Sequence, residues 1–297
     1  MEKCMLCPRL CGVDRASGAV GFCGQDANIR IARAALHPFE EPPISGTRGS
    51  GTVFFVGCSL RCCFCQNRVI SRAERIGRVI TPEVLAEIFL SLEAQGAHNI
   101  NLVTPTHFAD GVIAALTLAR PKLSVPVVYN TSGYERVETL RRLEGLVDVY
   151  LPDFKYVLGE LSERYSAAPD YAEVASAAVL EMFRQVGRYD IGKDGLMRRG
   201  MIVRHLVLPK GRQDSMAVLD RLAELFDPSD ILLSLMSQYT PEFSMDSPYA
   251  ELHRRVTTFE YQSVVDHAHA LGFDGFIQEK SSATAAYTPD FEKEIGF

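Results

Sequence analysis

Cys58, Cys62 and Cys65 stand in C-x3-C-x2-C spacing within Cys58-Ser-Leu-Arg-Cys62-Cys63-Phe-Cys65, with Phe64 directly before the last cysteine. Three thiolates on one short loop suit three corners of a cubane [4Fe–4S] cluster and leave its fourth iron without a protein ligand. An open iron points to chemistry on a bound molecule, whereas a fully ligated cluster only stores and passes electrons. Chance alone gives this spacing in roughly one chain in 200 of this cysteine content. The ordinary alternative is a zinc knuckle or buried thiols, but zinc sites favour paired C-x2-C hooks. Cys63 falls outside the spacing and reads as a non-ligating side chain.

A second constellation is Cys4-x2-Cys7-x3-Cys11-x11-Cys23. It is not another triplet of the same kind, because position 14 is Asp14. Four thiolates, with Gly12 and Gly24 following Cys11 and Cys23, suit a closed Cys4 site. Zinc, a rubredoxin-like iron and an auxiliary iron–sulfur cluster are all compatible with it. All eight cysteines lie in the first 65 residues, so every thiolate site must be built at that end of the chain.

Cys58–Asn67 (CSLRCCFCQN) resembles the signature of radical S-adenosylmethionine (SAM) enzymes. The chain as a whole resembles the pyruvate formate-lyase-activating-enzyme-like branch of that superfamily. The likeness runs through the N-terminal cysteines, Gly49–Gly51, Asn101–His107 (NLVTPTH), Asn130–Tyr134 (NTSGY), Leu151–Lys155 (LPDFK) and Arg204–Pro209 (RHLVLP). It implies that the amine and carboxylate of SAM chelate the open iron. One electron, from a reductase such as flavodoxin or ferredoxin, then splits a carbon–sulfur bond to methionine and a 5′-deoxyadenosyl radical. It further implies hydrogen abstraction, with a glycyl-radical protein as the partner to be activated. Modification of another peptide or a small metabolite is the alternative. A non-catalytic iron–sulfur electron carrier is the reading from a different class.

The same resemblance points to cofactor-binding residues. Phe64 and Asn67 lie on the cysteine loop. Related enzymes carry Gly-Gly-Glu after the second strand, but this chain has Thr104-Pro105-Thr106-His107, so the Thr104 and Thr106 hydroxyls, or backbone carbonyls freed by Pro105, are expected to take the acceptor role. After the third strand, Asn130 stands where related enzymes have Asp, followed by Ser132 and a Gly133 that permits close backbone approach. After the fourth, Lys155 faces the methionyl carboxylate, with Asp153 orienting it. Arg204 on the fifth strand is a second partner for that carboxylate. His205, on the opposite face, equally suits a satisfied buried histidine. Gln238 and Tyr239 follow the sixth strand and are expected over the pocket.

These residues need a scaffold that delivers strand ends to one place. Apolar strand-like runs alternate with amphipathic helical ones from residue 52 onward. Strands are expected at Thr52–Val56, His98–Thr104, Val125–Asn130, Val147–Pro152, Met201–Leu208 and Ile231–Met236. Helices are expected at Pro82–Gln95, Ala109–Arg120, Val137–Leu143, Tyr171–Val186, Ser215–Leu225 and Thr258–Leu271. This is an α/β chain. About six βα units predict a partial TIM barrel at 37–297, with ligands at the C-terminal ends of its strands, and a small Cys4 metal-binding segment at 1–36. Residues 28–36 read as a strand returning to the main body, and 37–51 as a Pro/Gly-rich loop.

At 297 residues and 47% hydrophobic composition, the chain can bury a substantial core. A net charge of −6 argues against nucleic acid as its partner. No apolar run is long enough for a membrane span, and the N-terminus lacks a signal-peptide core, so the cytoplasm is expected. Gly46–Gly51 precedes a strand rather than opening a helix, which excludes a dinucleotide loop. His267 and His269 are i, i+2 on a helix and cannot face one metal. Glu40-Glu41 reads as a solvated acidic corner or as a lining of the substrate entrance.

Overall fold

The computed structural model describes residues 3–72, 76–277 and 291; the last part of the expected barrel segment, 278–290 and 292–297, and the first two residues of the N-terminal segment lie outside them. The cysteine-bearing N-terminal segment contains a 3-10 turn at Arg15–Ser17. Then follow β1 (Ile29–His37), α1 (Pro42–Ser45), β2 (Ser50–Phe55), α2 (Arg68–Ser71), β3 (Arg78–Ile80) and α3 (Pro82–Ala94). The middle of the chain forms β4 (Ile100–Val103), α4 (Ala109–Ala119), β5 (Val127–Thr131), α5 (Val137–Arg141), β6 (Val149–Pro152), α6 (Gly159–Ser166) and α7 (Tyr171–Val186). The last elements are β7 (Asp190–Ile191), β8 (Met197–Leu206), α8 (Arg212–Leu225), β9 (Leu232–Met236), α9 (Thr258–Leu271) and β10 (Gly275–Ile277).

The strands form one open sheet in the order β10-β9-β8-β6-β5-β4-β2-β1-β3, with β7 pairing off β8. From β2 to β10 the neighbours are parallel, and β1 runs antiparallel to both β2 and β3. Strands β2, β4, β5, β6 and β9 are buried at every position. That is the pattern of a parallel sheet covered on both faces, and it explains why these strands read as continuous apolar runs. Within the open barrel, alternation sends Val128, Val149, Ile202 and Leu232 to the concave side, where Ile44 of α1 packs among them. Tyr129, Tyr150, Met201 and Leu233 face the helices instead. The partial barrel is therefore as expected.

Several elements go beyond the sequence reading. A seventh parallel strand, β10, pairs with β9 through Gly275↔Leu233; at three residues, one of them glycine, it is too short for period counting. Helix α6 (GELSERYS) has a sparse apolar pattern, and it is fixed by burial of Ser162, Tyr165 and Ser166. The Pro/Gly-rich loop contains α1, which begins at Pro42. Elsewhere local signals act as expected: Thr81 caps α3 by accepting from Val84 N at 3.4 Å, with Pro82 in the first turn. Among the described residues, no helix is long and apolar enough to cross a membrane.

Candidate active site

Two residues beyond β2 stands Gly57, whose φ of 89° is left-handed and whose missing Cβ leaves room for the Cys23 carbonyl and the Gln25 side chain. The chain then turns into the cysteine loop. Cys58, Cys62 and Cys65 all line a cavity of about 320 Å3 at the C-terminal ends of the parallel strands. Each sulfur has a nearby hydrogen-bonding group. Leu60 N donates to Cys58 Sγ at 3.3 Å, Ser166 Oγ donates to Cys62 Sγ at 3.0 Å, and Ser71 Oγ lies 3.3 Å from Cys65 Sγ. Two backbone bonds pin the loop to α6: Arg61 N to Ser166 O at 3.3 Å and Cys63 N to Tyr165 O at 2.8 Å. Cys63 does not line the cavity; it packs against the main core instead.

Burial pushes the Cys58 and Cys62 thiols up, and the neighbouring Lys155 ammonium pulls Cys62 back down. Among the described residues, no group of three or more His, Cys, Asp or Glu side chains converges on a point that a single metal ion could occupy. Thiolates that hold separate corners of a cube need not converge on one point. The donor set therefore fits a cluster with one open iron better than it fits a lone ion.

Below the cysteines lies a charged network. The inward-facing residues of adjacent strands pair in register: Phe54↔Val103, Val103↔Asn130, Asp153↔Arg204 and Arg204↔Ser234. Arg204 Nε donates to Asp153 Oδ1 at 3.0 Å, Arg204 Nη2 to Asn130 Oδ1 at 2.6 Å, and Lys155 Nζ to Asp153 Oδ2 at 2.6 Å. Burial alone would raise the Asp153 carboxyl, but Lys155 and Arg204 hold it below its ordinary value. Burial alone would lower Lys155, and Asp153 and Cys62 raise it instead, so it stays charged beside the cluster loop.

The cavity gathers Phe64, Asn67, Thr104, Asn130, Ser132, Lys155 and Arg204. Thr104 ends β4 with a left-handed φ of 58°, an uncommon conformation for a β-branched residue. Ser132 Oγ is buried there without a hydrogen-bond partner. Gly133 is required by close approach, since a Cβ would overlap the Asp153 carbonyl oxygen.

Thr106 does not join this group. It faces away from the cavity and donates through its hydroxyl to Glu135, which also accepts from Thr131. The turn Thr106–Phe108 after β4 rotates it to the far side. Tyr239 likewise misses the pocket; its hydroxyl donates to Leu252 O at 2.6 Å, and its ring packs edge-on against Phe64. Gln238 does line the cavity, and its carbonyl accepts from Gln66 Nε2 at 3.0 Å. His205 is a satisfied buried histidine: Nδ1 lies 2.7 Å from Phe154 O and Nε2 2.8 Å from Ser215 Oγ.

Glu40 and Glu41 correct the sequence reading. They are not a solvated corner. Strand β1 returns the chain to the N-terminal end of β2, where His37 pairs with Ser50, and the segment then enters the lumen from below. Glu40 accepts from Asn101 Nδ2 at 2.9 Å and lies 3.4 Å from Arg204 Nη1. The only sequence signal was the setting of the acidic pair, between Phe39 and the apolar Pro42-Pro43-Ile44.

The N-terminal cysteines sit on the outside of the barrel. Arg15 anchors them by donating to backbone carbonyls of Gln25, Asp26 and His107. Leu6 O accepts from Thr139 Oγ1 at 2.7 Å, and Met5 O from Arg136 Nη1 at 2.7 Å. Burial, reinforced by Cys23, Glu135 and Cys11 nearby, pushes the Cys7 thiol up to about 12. Phe22 N donates to Cys11 Sγ at 3.3 Å.

A model of the radical SAM superfamily matches residues 52–197, the span from β2 to the start of β8. The chain belongs to the radical SAM superfamily. The membership implies a [4Fe–4S] cluster and SAM as cofactors. Two uncharacterized proteins of Methanocaldococcus jannaschii are similar to this radical SAM chain. One is 28% identical over 282 residues, covering 92% of this chain and 76% of the relative. The other is 27% identical over 157 residues, covering 48% of this chain and 46% of the relative. A radical SAM methyltransferase from Sphaerobacter thermophilus has a similar fold, with a TM-score of 0.52 at 15% identity over 77% of this chain and 66% of that one. At that identity the likeness is one of fold.

Proposed function

We propose that the chain reductively cleaves SAM and uses the radical so formed to abstract hydrogen from a molecule held in the barrel lumen. The reading is carried by one observation: the Cys58/Cys62/Cys65 loop opens onto the same cavity as the buried Lys155–Asp153–Arg204 network and the unpartnered Ser132 hydroxyl. When bound, the reduced cluster supplies the electron that splits the carbon–sulfur bond of SAM, giving methionine and a 5′-deoxyadenosyl radical. The chain supplies position and exclusion of water. Lys155 and Arg204 offer cations to the methionyl carboxylate, Ser132 and Asn130 offer hydrogen bonds to the amino-acid or ribose part, and Phe64 and Asn67 border it from the loop. Flavodoxin or ferredoxin is the class of electron donor suited to this step.

The Cys4, Cys7, Cys11 and Cys23 segment is proposed as a second metal site of the chain, for zinc, iron or an auxiliary cluster; a single ion there requires the four thiolates to draw together on binding, since no described group of three is placed around one point. The division at residue 36, between that segment and the barrel, belongs to the same proposal. Glycyl-radical activation is a second reading, favoured by the resemblance of Asn130–Tyr134 and Leu151–Lys155 to activating enzymes. It requires a glycyl radical, seen by electron paramagnetic resonance, on a partner protein.

The primary test is anaerobic. Cluster-loaded protein reduced with dithionite and given SAM should form 5′-deoxyadenosine and methionine. With cluster content confirmed, the absence of both products overturns the proposal.

A further inference from the structure

The charged network of the lumen starts beside the cysteine loop at Lys155 and ends, beyond Arg204, in an acid without a match. Asp153 and Glu40 share the two cations of the network, since Lys155 and Arg204 both contact Asp153 and Arg204 also reaches Glu40. Glu41 brings a third carboxylate to two cations. Only 9% of Glu41 is exposed, it lines the cavity, and its Oε2 is buried without a hydrogen-bond partner. Burial holds the Glu41 carboxyl above its ordinary value, against the pull of the Arg204 guanidinium and the Ser234 hydroxyl beside it, and a cationic partner would draw it down. A buried carboxylate oxygen left unpaired is costly, so it is a place where a ligand donor gains most.

The direction of approach matters. The cysteine loop follows the C-terminal end of β2, whereas Glu40 and Glu41 enter from the N-terminal side of the sheet, carried by the segment between β1 and α1. The network runs in order from Cys62 through Lys155, Asp153 and Arg204 to Glu40 and Glu41, so a SAM amine held at the cysteine loop would lie at the Lys155 end. Away from that network the walls are apolar or neutral: Phe39, Phe54, Leu206 and Met236, together with His37, whose imidazole burial and nearby Arg33 lower to about 4. We infer that Glu41, backed by Glu40, is the subsite for a cationic nitrogen of the substrate, a protonated amine or guanidinium carried on an apolar body. The inference rests on the lumen being the substrate site of the proposed radical reaction.

Phenethylamine, phenethyl alcohol and 3-phenylpropionate are suitable probes, titrated calorimetrically into anaerobic, oxidised, cluster-loaded protein with SAM saturating. The amine should bind at least tenfold more tightly than the alcohol, and the carboxylate should bind worst. Glu41→Gln should abolish the preference for the amine, and Glu41→Asp, which keeps the charge, should retain part of it. Equal binding of amine and alcohol, no binding of the amine, or an undiminished preference in Glu41→Gln would each overturn the inference. So would competition between the amine and SAM, which would assign the acid to the cofactor. The wild-type comparison alone decides the matter if the variants fail to fold. A protein that cleaves SAM but shows no amine preference overturns this inference only. One that prefers the amine but does not cleave SAM overturns the proposed reaction only.

Discussion

Arg204 and Asp153 are bridge partners on neighbouring strands, and the Arg204 Nε donates to Asp153 Oδ1 at 3.0 Å while Lys155 takes the other carboxylate oxygen at 2.6 Å. One largely buried carboxylate thus bridges two cations, only 16% and 17% exposed, that face the cluster loop and the lumen.

Removing that carboxylate strands Lys155 and leaves Arg204 with Glu40 alone, at 3.4 Å, as its contacting carboxylate. Asp153→Ala should destabilise the protein by about 3–5 kcal/mol, the cost typical of leaving a buried charge uncompensated. Urea unfolding of the metal-free, reduced protein measures it. A loss below about 1 kcal/mol, the range of exposed ion pairs, would show that solvent screens the network.

Ser166 bears on the cluster rather than on stability alone. Its hydroxyl donates to Cys62 Sγ at 3.0 Å. Hydrogen bonds to cluster sulfur stabilise the more negative, reduced state. Ser166→Ala should keep the cluster and shift its reduction potential downward in a spectroelectrochemical titration. An unchanged or higher potential contradicts the hydrogen bond's role.

His205 sets a pH dependence. Burial depresses its folded pKa from 6.5 to about 4. A depressed value means its stabilising contribution is complete above about 6.5 and is lost as pH falls toward 4, because the unfolded imidazole protonates first. At pH 7, His205→Gln should cost about 1–3 kcal/mol through its two buried hydrogen bonds. Below pH 6.5 that cost should shrink by up to about 1.4 kcal/mol per pH unit. Urea unfolding of both proteins at pH 7 and pH 5 checks this; a constant difference would mean that the imidazole takes up its proton equally readily in the folded and unfolded chain.

The proposed N-terminal site is expected to be separable from the triplet. Cys7→Ser should lower total metal in elemental analysis while the visible spectrum of the triplet cluster persists, since Cys7 lies near Glu135 and its neighbour Leu6 is bonded through its carbonyl to Thr139 of α5. Loss of both metals together would show that the two sites form one unit.

The parts of this molecule that were legible in the sequence are those fixed by short-range rules. The cysteine spacing, the Thr81-Pro82 helix start and the buried runs of β4, β5, β6 and β9 each carry their signal within a few residues. Lys155, Asn130 and Arg204 were placed on strand ends, and strand register brings all three to one cavity. Thr106 was misplaced because a single 3-10 turn decides its direction, and alternation does not extend past the end of a strand. Glu40 and Glu41 were misread because their burial depends on β1 pairing antiparallel with β2 and on Asn101 and Arg204, 61 and 164 residues away from Glu40. Acidic residues in a Pro-rich segment carry no local mark of such partners.

The central claim is that the three-cysteine loop makes this cavity a site of radical chemistry, and one comparison tests it most directly. 5′-Deoxyadenosine should be quantified after anaerobic reduction with SAM for the wild-type protein and for Cys62→Ala. The account predicts product from the wild type and none above background from the variant. Turnover that survives Cys62→Ala, or a cluster-loaded wild type that forms no product, would contradict it.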